Sequence, residues 1–354
     1  MTQRFRTSDF EYQLPPELIA QTPSERRGGS RLLVVERDAG PGVAPADRTF
    51  ADFPGLVAPG DLVVLNTTRV RHARLLGTRP SGAPAEVLLL HPGPGESWVA
   101  MGKPGSALRP GRRIRLGEGA EIETLDILEE GYRLIAFRGV DAATAMARHG
   151  LLPLPPYIER PAGPEDEERY QTIYAEREGS VAAPTAGLHF TPDLLSALRA
   201  RGAAIARVDL EVGPGTFKPV ETESLEAHPM HAERYEIPEA SARAIADTRE
   251  RGGAVWAVGT TVVRSLESAA DETGRVHPGP GETRLMITPG YRFRAVDRLL
   301  TNFHLPRSTL LMLVAAFAGY ETTMAAYRHA VAARYRFYSY GDAMAIIPPA
   351  AHRP

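Results

Sequence analysis

Short apolar runs set between Gly and Pro fill the first half of the chain, and longer amphipathic stretches take over in the second. GDLVVLNTTRV (60–70) is a β-rich run ending in polar residues. From about Arg71 to Gly139, AEVLLLH (85–91), RRIRL (112–116) and YRLIAF (132–137) alternate with turn signals such as PGPGE and KPGSALRPG. Runs of this length, with no long helical pattern between them, predict a small all-β barrel or sandwich. DAATAMARHG (141–150) predicts a helix stopped by Gly150. Thr191 then fits an N-cap, Pro192 the first helical position and Gly202 the end of that helix.

Strand and helix alternate from there. AAIARVDLEV (203–212) predicts a strand, Pro238 to about Arg251 a helix, AVWAVG (254–259) a strand and TTVVRSLESAADETG (260–274) a helix leaving it directly. STLLMLVAAFAG and ETTMAAYRHAVAARY predict two consecutive helices. The fold class expected is mixed α/β, with a large main domain and an inserted all-β barrel. The boundaries are 1–70 plus 151–354 for the main domain and 71–150 for the insertion. PAGPEDEER is expected to be a flexible acidic linker.

Composition narrows the chemistry. A length of 354 residues favours two domains, and 43% hydrophobic residues are ample for a core. Lys+Arg of 41 against Asp+Glu of 43 argues against a histone-like electrostatic binder, while leaving room for local basic patches. There is no cysteine, so thiolate metal sites, iron–sulfur clusters, disulfides and cysteine nucleophiles are excluded. The first residues lack the apolar core of a signal peptide. The longest oily run, TLLMLVAAFAG (309–319), is short of the roughly 20 residues of a membrane span. A soluble cytoplasmic protein with no membrane partner is expected.

Several motifs carry candidate chemistry, each beside a simpler reading. VAAPTAGLHFTP (181–192) sets Thr185, His189 and Thr191 among small residues, as a chain does where polar groups approach a ligand closely. In VGTTVVRSLES (258–268), Gly259 permits a tight turn, and Thr260 and Thr261 stand where a helix N-terminus exposes N–H groups. Arg264 follows one turn on. That arrangement favours a carboxylate or phosphate, though an ordinary capped turn reads the same way. It is not a P-loop, because the lysine is missing. EVGPGTFKPV (211–220) brings Lys218 to a Gly-rich loop without the dinucleotide spacing, and Pro214 equally supports a plain β-turn. His228 and His231 stand three apart, but Pro229 between them and the lack of a third ligand argue against a metal. No metal is expected. Asn302, His304 and Arg307 form a polar turn ahead of a very apolar helix, whose leading turn should point inward. Arginines cluster at Arg69, Arg71 and Arg74 and at Arg292, Arg294 and Arg298, and aromatics interleave in RYRFYSYGD (334–342). Such mixtures bind phosphates and stack bases, or form an ordinary solvated face.

Taken in order, DFEYQLPPELIAQTPSERR, GDLVVLNTTRVRHARLLG, LPLPPYIER with RYQTIYA, VAAPTAGLHFTP, VGPGTFKPV, HPMHAERYEI, AVGTTVVRSLES, LLTNFHLPRSTLLMLVAAFAG and YRFYSYGDAMAI resemble one family. It is the S-adenosylmethionine:tRNA ribosyltransferase-isomerase family of queuosine biosynthesis. The match spans nearly the whole chain and is looser through about 80–150 and 272–290. One departure is Glu211-Val212-Gly213, where the family usually reads His-Val-Gly.

The resemblance implies an α/β domain with an inserted β-barrel and no prosthetic group. S-adenosylmethionine would be a co-substrate that donates its ribosyl part. The acceptor would be 7-aminomethyl-7-deazaguanine at the tRNA wobble position, and the products epoxyqueuosine-tRNA, adenine and methionine. His189 is the proton-transfer candidate, since histidine titrates near neutrality. Thr185 and Thr191 are candidates for donating hydrogen bonds to ribose oxygens. Gly259, Thr260, Thr261 and Arg264 are candidates for the methionine carboxylate, with Asn302 and His304 completing the pocket. Arg69, Arg71 and Lys218 are candidates for RNA phosphates. A non-catalytic RNA-binding module and an S-adenosylmethionine-dependent tRNA methyltransferase are the alternatives.

Overall fold

The computed structural model of the chain describes residues 4–40, 42–213, 215, 220 and 222–349. Its strands in chain order begin with β1 (Arg31–Glu36), β2 (Ala46–Thr49), β3 (Leu62–Asn66) and β4 (Thr68–Val70). There follow β5 (Arg74–Thr78), β6 (Pro84–Pro92), β7 (Trp98–Lys103), β8 (Arg113–Gly117), β9 (Ala120–Ile127), β10 (Arg133–Arg138) and β11 (Gly150–Leu151). The last are β12 (Arg177–Ser180), β13 (Ala204–Leu210), β14 (Glu233–Ile237), β15 (Val255–Val258), β16 (Gly279–Thr283), β17 (Arg298–Asn302) and β18 (Ala343–Ile347). The helices are α1 (Ala142–His149), α2 (Pro164–Arg169), α3 (Pro192–Ala200), α4 (Glu239–Glu250), α5 (Thr260–Ala269), α6 (Thr309–Ala318) and α7 (Tyr320–Ala332).

The larger sheet runs β16-β14-β13-β3-β15-β17-β18-β1-β2. Its centre, β13, β3, β15 and β17, is parallel, as strand–helix–strand alternation requires. Alternate side chains serve opposite faces. Leu62 and Val64 face the core shared with Leu266, Leu311 and Val314, while Val63 and Leu65 face the one shared with Phe53, Phe190 and Leu198. Burial on both faces explains why β3 and β15 read as near-unbroken apolar runs.

Residues 74–151 build the second sheet, ordered β11-β5-β6-β7-β10-β9-β8, and β8 pairs back onto β5 at Thr78↔Arg115. A two-stranded parallel pair, β4 with β12, lies beside the point where the chain passes between the sheets. Among the described residues no single helix is long and apolar enough to cross a membrane.

Two local expectations need correction. PAGPEDEER is no linker: it contains α2, and Asp166 within it is fully buried. Asp166 accepts from Arg160 Nη1 (2.6 Å) and Nη2 (2.8 Å), Tyr340 Oη (2.6 Å) and Gly163 N (2.7 Å). Its acidity serves an internal ion pair. The helix expected over 260–274 stops at Ala269, because Asp271 folds the chain back by accepting from Thr273 N and Arg275 N (2.9 and 3.1 Å).

Candidate active site

Because β3, β15 and β17 are parallel neighbours, their carboxyl ends fall on one edge, where open α/β sheets leave a crevice for ligands. At that edge the chain leaves Val258 through Gly259, whose φ of +90° disfavours residues carrying a Cβ. Gly259 N donates to Leu300 O (2.7 Å), tying the turn to β17, and α5 starts at once. The ladder of α5 opens with Val263 N donating to Gly259 O (3.3 Å), so the amides of Thr260 to Val262 precede it. Gly259, Thr260 and Thr261 line a narrow cavity of about 60 Å³, together with Pro184, Thr185 and Ala186, the segment 301–305, Tyr157, Tyr338 and Ser339. No carboxylate side chain lines it among the described residues. Five segments far apart in sequence therefore meet here: the one carrying Tyr157, VAAPTAG, VGTT, TNFHL and the tyrosine-rich turn near the end.

The two histidines of these segments take different positions. His304 is in the cavity wall, with Nε2 2.8 Å from Thr301 Oγ1. Its backbone is pinned on both sides, by Tyr327 Oη (3.0 Å from its N) and by Tyr12 Oη donating to its carbonyl (2.5 Å). His189 stands behind the wall. Its Nε2 accepts from Asn302 Nδ2 (3.2 Å), its Nδ1 lies 2.9 Å from Ser30 Oγ, and its ring stacks on Phe50. The expectation that His189 meets the reacting atoms is thus not matched by its position. Asn302, which does line the cavity, stands in front of it.

Burial pushes both imidazoles down to about 3, with Arg27 and Arg336 adding to the effect at His189. Both rings are neutral at physiological pH. Between about 3 and the ordinary value of 6.5 the unfolded chain binds the extra protons, so stability falls as pH drops through that window. Melting midpoints are expected to decline from pH 6.5 downward, less steeply in a His189→Asn variant. Parallel declines in the two proteins would show that the His189 ring does not titrate this way.

The tyrosine-rich turn is a wall element that sequence pattern did not reveal. Tyr335, Phe337, Tyr338 and Tyr340 are all buried, so the aromatics read as a base-stacking surface are core and cavity lining instead. Tyr338 sits at φ +71°, an outlier for a bulky residue, and its carbonyl accepts from Asn302 Nδ2 (3.0 Å). Ser339 hydrogen-bonds the Tyr157 hydroxyl from its own hydroxyl and from its backbone N. In the sequence this turn shows only as the interleaved aromatics of RYRFYSYGD, a pattern that does not say which rings face a cavity.

A second, wider cavity of about 400 Å³ opens beside the first, and Val212 and Leu310 belong to the walls of both. It lies between the sheets, with Leu90, Val99 and Tyr132 on one side and Glu211, His231, Glu233 and Arg264 on the other. His231 bridges it, Nδ1 lying 2.6 Å from Glu130 Oε2 and 3.1 Å from Tyr132 Oη. No group of three metal-ligating side chains occurs among the described residues.

The remaining predicted residues divide as follows. Thr185, Gly259, Thr260, Thr261, Asn302 and His304 come together around the narrow cavity. Arg264 does not join them. It lines the wider cavity, paired with Glu233 and donating through Nε to Leu285 O (3.1 Å). Thr191 caps α3, accepting from Leu194 N (3.2 Å), outside both cavities. Arg69 donates to Ala175 O (2.9 Å). Arg71 is buried at the seam, its guanidinium 5.4 Å from the Trp98 ring centroid. Lys218 lies outside the described residues.

Residues 7–346 match the family model described as queuosine biosynthesis protein. A protein of Azoarcus sp. (strain BH72) called S-adenosylmethionine:tRNA ribosyltransferase-isomerase is 51% identical over 336 residues, covering 95% of this chain and 96% of its own. One of the same name from Anaeromyxobacter sp. (strain Fw109-5) is 53% identical over 344 residues, covering 96% and 98%. The crystal structure of the S-adenosylmethionine tRNA ribosyltransferase from Thermotoga maritima is similar with a TM-score of 0.56 and 37% identity, over 96% of this chain and 100% of the other.

Proposed function

The chain belongs to the queuosine biosynthesis protein family, and from that premise we propose that it is an S-adenosylmethionine:tRNA ribosyltransferase-isomerase. It takes the ribosyl part of S-adenosylmethionine onto 7-aminomethyl-7-deazaguanine at the tRNA wobble position in the cytoplasm, releasing adenine and methionine and leaving epoxyqueuosine. The observation that carries this reading is the pair of neighbouring cavities that share Val212 and Leu310, the narrow one at the carboxyl edge of β15 and β17. The narrow one suits the methionyl end, and the wide one, between the sheets, suits a base presented by RNA. In this reading residues 71–150 form an inserted β-barrel, supported by the closing β5–β8 pairing. The barrel supplies one wall of the base-accepting cleft.

The chemistry assigns work to particular residues. The sulfonium acidifies the neighbouring C5′–H, and a neutral imidazole in the wall can accept that proton. Of the two histidines only His304 lines the cavity, so this reading gives it the proton-transfer role in place of His189, a role in which burial makes it a weak base. The amides of Thr260 and Thr261 at the α5 N-terminus take the methionine carboxylate. Thr185 is placed to donate to a developing ribose oxygen. Glu211, on the wide side beside Val212, faces the acceptor amine. The α5 site needs no help from Arg264, which Glu233 already neutralises.

Mass spectrometry of tRNA carrying the acceptor base, incubated with the protein and S-adenosylmethionine, tests the proposal. A gain matching the cyclopentane epoxide, with free adenine and methionine, is expected. A methyl-sized gain with S-adenosylhomocysteine would make the protein a methyltransferase. Tight tRNA binding without reaction would make it a binding module.

A further inference from the structure

Asn302 is 2% exposed in the cavity wall, and its Oδ1 has no hydrogen-bond partner among the described residues. A buried unpaired carbonyl costs roughly 1–3 kcal/mol, so it marks a place where something else donates. Its nitrogen side is fully used. Nδ2 donates to Tyr338 O (3.0 Å) and His189 Nε2 (3.2 Å), with Asp342 O at 3.4 Å. Turning the amide over would set Oδ1 against three acceptors, so its orientation is fixed. His189 can accept only because its proton sits on Nδ1, toward Ser30 Oγ. The buried ring stays neutral, and its packing against Phe50 holds it still.

Register places this acceptor next to an anion site. Val258 pairs with Leu300 across adjacent parallel strands, so Thr260 and Asn302 stand side by side at the two strand ends. Strand spacing is about 4.8 Å. An anion-binding helix start and an uncharged acceptor at that separation match the two polar groups an α-amino acid carries on one carbon. No carboxylate in the wall competes for the ammonium among the described residues.

We propose that Asn302 Oδ1 accepts from the α-ammonium of the methionyl end of S-adenosylmethionine, and that His189 is a positioning residue that locks the Asn302 amide for that contact. The proposal rests on the reading of the narrow cavity as the methionyl site. It makes the cavity selective for an intact amino acid end.

Calorimetric binding of S-adenosylmethionine and of its analogue lacking the α-amino group tests it. A hydrogen bond from a charged donor contributes about 1.5–3 kcal/mol, so the wild-type protein should bind the analogue roughly 10- to 100-fold more weakly. Asn302→Ala should bind both about equally. His189→Leu should shrink the preference and raise KM in larger proportion than it lowers kcat, and His189→Gln, which restores an acceptor, should recover both. Equal wild-type binding of the two ligands would overturn the Asn302 assignment, whatever the variants do. An undiminished preference in His189→Leu would overturn the positioning role. Failure of the wild-type protein to bind S-adenosylmethionine at all would instead overturn the reading of the cavity.

Discussion

Replacing Asp61 with alanine is expected to lower the unfolding free energy by about 3–5 kcal/mol, the range found when one partner of a buried ion pair is removed. Asp61 is 3% exposed, just ahead of β3. Its Oδ2 accepts from Arg298 Nη1 (2.7 Å), Ala58 N (3.0 Å) and Trp256 Nε1 (3.1 Å), and its Oδ1 from Ala254 N (2.9 Å). One carboxylate thus joins the amino ends of β3, β15 and β17. Without it a buried guanidinium, an indole N–H and two backbone amides lose their acceptor together. Arg298 over the Trp256 ring, 5.5 Å from the centroid, has no other anion among the described residues. The double variant Asp61→Leu with Arg298→Met should be less destabilised than Asp61→Ala, because it leaves no stranded charge. Urea unfolding measures both. A loss below about 1 kcal/mol in Asp61→Ala would mean the pair is solvated.

This ion pair also marks where sequence stops being informative. Arg298 reads as one member of a basic cluster with Arg292 and Arg294, yet those two are exposed and it is buried. Nothing local distinguishes them: the partner, Asp61, is more than two hundred residues away. Arg264 misleads in the same way, because helix spacing puts it one turn below an anion site while Glu233 on β14 turns it elsewhere. Asp166 looks like part of a solvated acidic run until Arg160 and Tyr340 close around it. What was legible was local. Caps, strand runs and helix starts depend on neighbours a few residues apart, so Thr191, Gly150 and the abrupt β15–α5 turn all stand where their pattern puts them.

The site lies between these cases. Small-residue loops after strands pointed to the right segments, and those segments do converge. Which side chain of each faces inward was not readable. In TAGLH the chain makes a short 3-10 turn (Thr185–His189), which leaves Thr185 in the wall and carries His189 behind Asn302. Tyr157 and Tyr338 enter the wall through a strained backbone turn and a tyrosine–serine contact, neither of which has a periodic signature.

Turnover by a His304→Gln variant is expected to fall by about 10²- to 10⁴-fold, the usual contribution of a positioned acid–base group. Glutamine can keep a hydrogen bond to Thr301 Oγ1 but offers no basic nitrogen, so the loss would report proton handling and not packing. The surrounding backbone bonds, to Tyr327 and from Tyr12, do not depend on the side chain and should keep the loop in place. Adenine release in a single turnover, with saturating tRNA, is the measurement. Because burial holds His304 near 3, its own protonation should not produce an acid limb near pH 6.5 in the wild-type profile. A limb there would come from a group other than His304. Near-normal release by His304→Gln would remove histidine from the first proton transfer altogether. The described polar groups of the narrow cavity would then be left to orient the substrate, and the base would have to reach C5′ from the wide cleft, where Glu211 and His231 stand.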